Sequence, residues 1–203
     1  TLRWPRVRLA DEKYLQKQIP CHILGESLGC TVMMKYLLEN PKIHKQIHSV
    51  IFQVPPYRVR YLWYLSAFIP LFKLVLTFLH ILFGQYPIFP SGPSNTPTYI
   101  SEFRDLDKID CIRQPNTTMR HFANNLFMIN EFHKYGNQIQ KPCLILEGTA
   151  DSILEPQGAF QLFRQLKHVK RRIHMFKNAD HSLFFDVNSQ GVYEEIYQWI
   201  LKN

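Results

Sequence analysis

No Cys-x-x-Cys pair, no internal repeat and no low-complexity block occurs in these 203 residues. Without paired cysteines a metal site is not expected. Without a repeat the chain cannot be a solenoid or propeller. The formal charge is +8, yet only Lys170-Arg171-Arg172 clusters tightly. No helix-turn-helix, zinc-finger or aromatic RNA-binding pattern accompanies that charge, so a nucleic-acid partner is not expected and a mildly basic surface near anionic lipid is the better reading. The opening Thr1-Leu2-Arg3-Trp4-Pro5-Arg6 has neither an initiator Met nor a charged-then-apolar signal, and the chain is expected to be a fragment of a longer one.

What is present describes a packed domain: 46% of residues are hydrophobic, 14% aromatic and 20% charged, a balance that excludes a disordered or fibrous class. Of the four cysteines, Cys21 and Cys143 each open an apolar run, where a reduced thiol acts as a small buried hydrophobe. A reducing, cytoplasmic setting follows, although the sequon Asn116-Thr117-Thr118 leaves secretion open.

Strand-like and helix-like segments alternate at both ends of the chain. Ala10 to Gln18 reads as the end of a helix, Ile19 to Leu24 as a short strand, Leu28 to Glu39 as a helix stopped by Asn40-Pro41, and Ser49 to Val54 as a second strand closed by Pro55-Pro56. That succession is the βαβ unit of a parallel sheet. Alternation then stops until Pro142 to Glu147 (strand), Pro156 to Leu166 (helix), Arg172 to Phe176 (strand) and Val192 to Lys202 (helix). In the last of these Val192, Ile196, Trp199 and Ile200 fall on one face by helical spacing. The intervening stretch, rich in aromatics and prolines and without a clear sheet strand, reads as an insertion.

Tyr61 to Phe83 is the most apolar segment and matches a bilayer span in length. Pro70 would break its middle, however, and Lys73 near the bilayer centre would cost about 2.5 to 3.5 kcal/mol. A pair of cap helices with an exposed apolar face is the competing reading, and either one implies contact with something greasy.

Gly25-Glu26-Ser27-Leu28-Gly29 matches G-x-S-x-G between an apolar strand and a helix, the setting that exposes a serine nucleophile on a sharp turn. The serine's backbone is strained there, so its neighbours must be small, and Gly25 and Gly29 are expected to supply the clearance. The backbone N–H of Leu28, at the positive end of the following helix, is the expected first oxyanion donor. A serine nucleophile needs a base and an orienting acid, which on such a sheet come from loops after later strands. Asp151, in Gly148-Thr149-Ala150-Asp151, and His181, in Asn178-Ala179-Asp180-His181, have those positions. Rival acids are weaker: Glu147 lies inside a strand, Asp180 adjoins the histidine and should point away from it, and Glu155 precedes Pro156 at a helix start. His22, His44, His48, His80, His121, His133, His168 and His174 lack the position after a strand. No metal or organic cofactor is required by these roles.

These stretches, with Gln53-Val54-Pro55, the run Lys141 to Asp151 and the terminal Tyr197-Gln198-Trp199-Ile200, resemble the monoacylglycerol lipase, lysophospholipase and serine aminopeptidase-like branch of the α/β-hydrolases. The resemblance implies the C-terminal part of an α/β-hydrolase fold: a mostly parallel sheet flanked by helices, with hydrolase core in residues 1–55 and 141–203 and a helical cap over 56–140. It implies the triad Ser27, Asp151 and His181, a lipid ester or other acyl substrate, and peripheral membrane contact through the cap. Two departures stand out. Cys30 occupies a place where the family often has a third glycine, and the N-terminal strands with their His-Gly oxyanion turn are expected to be missing. The alternative is therefore a catalytically inactive, truncated hydrolase acting as a lipid- or protein-binding module.

Overall fold

Apolar residues at successive rather than alternate positions mark strands covered on both faces, and Val50-Ile51-Phe52 and Cys143-Leu144-Ile145-Leu146 have that form. In the computed structural model, which describes residues 20–60, 69–90, 100–102, 105, 109 and 116–203, both runs are central strands of one sheet. In chain order the elements are β1 (Cys21–Glu26), α1 (Leu28–Glu39), α2 (Pro41–Gln46), β2 (Ile47–Gln53), α3 (Ile69–Phe83), β3 (Pro87–Pro90), β4 (Asn116–Thr118), α4 (Met119–Tyr135), β5 (Cys143–Gly148), α5 (Gln157–Gln165), β6 (Arg171–Phe176) and α6 (Ser189–Leu201). The main sheet runs β1-β2-β5-β6, and every neighbouring pair is parallel.

Successive residues on a strand serve opposite layers. Val50, Phe52, Cys143 and Ile145 pack against Met33, Met34 and Leu37 of α1 and Ala159 and Leu162 of α5. Their neighbours Ile51, Leu144 and Leu146 pack with Phe176 against Val192 and Trp199 of α6. Helices therefore cover both faces, as the parallel pairing requires.

Several boundaries differ from the sequence reading. β1 runs to Glu26, beyond the expected Leu24, because its ladder with β2 continues through Gly25 opposite Phe52 and Glu26 opposite Gln53; backbone pairing does not depend on side-chain polarity. The helix expected over Ala10 to Gln18 lies outside the described residues. Asn40-Pro41 ends one helix and starts another, since proline's fixed φ suits the first turn of α2. On α6, Ile200 is 38% exposed, while Glu195 is buried in its stead. Glu195 sits between Val192 and Trp199 on the helical stripe, and its carboxylate is held by Arg172 at 2.9 Å and His174 at 3.0 Å.

The segment between β2 and β5 adds no strand to the main sheet among the described residues, but it contains an antiparallel ribbon of β3 with β4. Its last helix, α4, returns to the sheet: Phe132 is buried and meets Phe52 edge-on, ring centroids 5.8 Å apart. Pro70 is the second described residue of α3, and the part of the apolar segment before Ile69 lies outside the described residues. No helix among the described residues is long and apolar enough to cross a membrane.

Trp199 ties the α6 layer through the sheet, donating from Nε1 to Ser49 Oγ at 2.9 Å, with both residues buried. Trp199→Ala removes the ring and leaves that hydroxyl without its donor, so a loss of ~3–5 kcal/mol is expected. Leu201→Ala, at the exposed end of the same helix, should change stability by less than ~0.5 kcal/mol. Urea denaturation of both variants measures the difference.

Candidate active site

The serine turn follows from what flanks it. β1 ends at Glu26 and α1 begins at Leu28, leaving Ser27 alone to reverse the chain at φ 49° and ψ −123°, a region costing a non-glycine residue about 1–3 kcal/mol. Tertiary bonds hold it there. Ser27 N donates to Gln53 O on β2 at 2.9 Å, and Ser27 O accepts from Cys30 N at 2.9 Å. A Cβ on Gly25 would lie 2.8 Å from the Cys30 backbone, so no side chain fits at that position. Gly29 differs: among the described residues nothing lies within 4 Å of a Cβ placed there. Cys30 is more than a tolerated small residue. Its buried thiol lies 2.9 Å from Gly25 O and 3.3 Å from Gln53 O, and burial pushes that thiol well above its ordinary pKa, keeping it a neutral donor.

Asp151 and His181 arrive from the loops after β5 and β6, which are adjacent and parallel. The two loops are joined by backbone: Thr149 N donates to Phe176 O and Ala150 N to Ala179 O, both at 3.0 Å. Asn178, at φ 60°, donates its N–H to Thr149 Oγ1 at 2.8 Å. So close an approach demands glycine at 148, where a Cβ would lie 2.4 Å from Ala179 O.

The three side chains form one continuous chain. His181 Nε2 lies 2.8 Å from Ser27 Oγ, and His181 Nδ1 lies 2.8 Å from Asp151 Oδ2. Asp151 is fully buried. Its other oxygen, Oδ1, accepts from the N–H groups of Ile153 at 2.8 Å and Leu154 at 2.7 Å, so the carboxylate can rotate little. With Nδ1 protonated toward Asp151, Nε2 is free to accept the Ser27 proton. Leu28 is the first residue of α1, and N–H groups in a helix's first turn have no acceptor within the helix.

The rejected acids occupy other roles. Asp180 turns from the imidazole to the backbone, its Oδ1 accepting from Ser152 N at 2.9 Å, Ser152 Oγ at 2.9 Å and His181 N at 2.6 Å. Glu155 pairs with Arg58 at 2.8 Å. Glu147 is buried beneath the site, where burial, with the charge of Asp151, pushes its carboxyl well up. Glu26, beside the serine, is raised by burial and drawn down less strongly by His181 and by the Gln53 amide. Among the described residues no group of three His, Cys, Asp or Glu side chains is arranged to hold a metal ion.

One contributor carried no sequence signal. The turn segment 55–60 that follows β2 lies along the Asp151 loop: Val59 bridges Leu154, Arg60 N donates to Ile153 O at 2.9 Å and Glu155 N to Arg58 O at 2.8 Å, and the Arg60 guanidinium donates to the Asp151 carbonyl. The partners of Arg60 are some ninety residues away in the chain, and no local pattern marks an arginine for that purpose.

Gly25→Ala is expected to destabilise the protein by ~1–3 kcal/mol, since the rigid Cys30 backbone must give way. Thermal denaturation checks it; an unchanged midpoint would mean that the elbow has more room than its geometry indicates.

Comparison with known proteins agrees on one fold. Residues 7–188 match the family described as serine aminopeptidase, S33. Among solved structures, the chain is similar to a monoacylglycerol lipase from Paleococcus ferrophilus, with a TM-score of 0.69 and 20% identity, covering 94% of this chain and 72% of that one. It is similar to a soluble variant of monoglyceride lipase from Saccharomyces cerevisiae, solved with a substrate analogue, with a TM-score of 0.74 and 19% identity, covering 94% of this chain and 66% of that one. A thermophilic esterase from Thermogutta terrifontis gives a TM-score of 0.55 at 18% identity, covering 94% and 68%. The chain thus spans about two thirds to three quarters of the length of these structures. No curated protein matches its sequence.

Proposed function

The chain belongs to the serine aminopeptidase S33 family and is an α/β-hydrolase; we propose that it cleaves carboxylic esters of lipids, of the monoacylglycerol or lysophospholipid type, through Ser27, His181 and Asp151. The observation that carries this reading is the unbroken hydrogen-bond chain from Ser27 Oγ through His181 to Asp151, both links 2.8 Å long.

In this mechanism Ser27 Oγ attacks the acyl carbonyl as its proton passes to His181 Nε2. The Asp151 carboxylate steadies the imidazolium that forms. Negative charge on the tetrahedral carbonyl oxygen develops toward the Leu28 N–H, where the helix N-terminus favours it. His181 then gives its proton to the departing alcohol, leaving an acyl-serine. Water, deprotonated by the same imidazole, releases the acid and restores the enzyme.

A lipid substrate is supported by the insertion, which we assign as a cap over residues 56–140. Leu74, Phe78 and Ile81 of α3 are 68%, 61% and 73% exposed, a density of bare apolar side chains that suits a lipid surface. The names of two similar structures, both lipases of monoglycerides, point the same way. Peripheral attachment through this face, in a cytoplasmic setting, accords with free thiols at Cys21, Cys30 and Cys143.

Ser27→Ala and His181→Ala should remove ester hydrolysis with little effect on folding, and Asp151→Asn should lower kcat roughly 10⁴-fold by favouring the wrong imidazole tautomer. Fluorophosphonate labelling and short-chain ester turnover in the complete protein measure both. Labelling of the Ser27→Ala variant would show that another serine is the nucleophile.

A further inference from the structure

Beneath the elbow lies a buried carboxyl group that the reaction described above leaves unused. Glu147, on β5, is fully buried. Its Oε1 accepts from Gly148 N at 3.0 Å, while its Oε2 meets no donor among the described residues. A polar side chain beside it is that of Asp151, itself an acceptor. From α1 the neutral thiol of Cys30 stands near both Glu147 and Glu26 of β1, and neither brings positive charge. Arg60 directs its guanidinium to the carbonyls of Asp151 and Leu154, and His181 is bound to the Asp151 carboxylate.

Two carboxyl oxygens can share a hydrogen bond only if one of them carries a proton. The surroundings decide which. Asp151 already receives three donors, Ile153 N–H, Leu154 N–H and His181 Nδ1. Glu147 receives one, and its carboxyl is raised by burial and by the Asp151 charge, so the proton is assigned to Glu147. An ionised carboxylate offers about four acceptor sites; those donors occupy three on Asp151, which leaves one for a further donor.

We propose that Glu147 is a positioning residue for the hydrolytic reaction: held as a neutral acid, it donates a hydrogen bond to the Asp151 carboxylate and keeps that group aligned on His181. The assignment rests on Asp151 and His181 being the acid and base of the proposed mechanism. The upward displacement of the Glu147 carboxyl by burial and by the Asp151 charge has the sign this requires, and a buried acid kept neutral in order to donate is an established use of a carboxyl group.

Two replacements separate donation from charge and from packing. Glu147→Met fills the space without a donor; kcat should fall roughly ten- to a hundredfold with KM within about twofold, the range for losing a hydrogen bond to a charged group. Asp151, with one donor fewer, then holds the imidazolium more tightly, so the acid limb of the kcat/KM profile moves to higher pH. Glu147→Gln keeps an acceptor for Gly148 N–H and a donor for Asp151, and should recover most of the lost kcat with the acid limb where it began. Infrared difference spectra of the parent against Glu147→Gln should show the carbonyl band of a protonated acid in the parent alone. Asp151→Asn, assayed alongside, tests the underlying mechanism: parental activity in that variant overturns both the mechanism and the role of Glu147. With Asp151→Asn inactive, the role of Glu147 alone is overturned if Glu147→Met is as active as the parent. It is equally overturned if both Glu147 variants move the acid limb to lower pH, as removal of an anion would. Should Glu147→Met fail to fold, the infrared band and the profile of Glu147→Gln decide, and absence of the band in the parent refutes the proposal.

Discussion

The whole site depends on the backbone of Ser27 being held at positive φ between a strand and a helix that leave it no freedom. That conformation costs about 1–3 kcal/mol for a residue with a Cβ. It persists because β2 pins the serine N–H through Gln53 O, because Gly25 lets α1 close onto the strand, and because the Cys30 thiol lies within donating reach of the carbonyls of Gly25 and Gln53. The hydroxyl is thereby lifted off the sheet edge toward the imidazole while the first N–H groups of α1 face the same space.

Asp151 and His181 depend on the sheet in a different way. Parallel strands put all their C-terminal ends on one side, so the loops after β5 and β6 emerge next to each other and on the same side as the elbow. Chain reversal alone would leave the loops loosely placed. Their alignment comes from polar groups each used more than once: Asp180 Oδ1 takes three donors, and Asp186 Oδ2 accepts from Asp180 N. Asp151 Oδ1 takes two backbone donors while Oδ2 faces the histidine. Buried carboxylates of this kind are tolerable only when their oxygens are so occupied, and the same requirement singles out Glu147, whose second oxygen lacks a donor among the described residues.

The insertion obeys a third constraint. Its last helix carries Phe132 into the core shared by β2 and α1, which anchors it, whereas α3 presents Leu74, Phe78 and Ile81 outward. One part of the insertion is thus fastened to the sheet, while α3 carries exposed apolar side chains.

Much of this was legible in the sequence by itself. The G-x-S-x-G turn pointed to Ser27, the apolar runs closed by Gly148-Thr149-Ala150-Asp151 and Asn178-Ala179-Asp180-His181 pointed to the loops that carry Asp151 and His181, and the strand, helix, strand succession pointed to a parallel sheet. Those features are local: spacing, periodicity and turn chemistry act over a few residues and leave a readable trace. The tertiary structure alone decided that Glu195 and not Ile200 faces the sheet, that Gly25 is sterically required while Gly29 has open space among the described residues, that Arg60 holds the acid loop, and that Glu147 lies against Asp151. Each of these turns on partners far apart in the chain, as with Ser27 and His181, 154 positions apart. Which polar atom lies opposite which is settled by the register of the strands and the packing of the layers, and a side chain's identity carries no mark of a partner it meets only after folding.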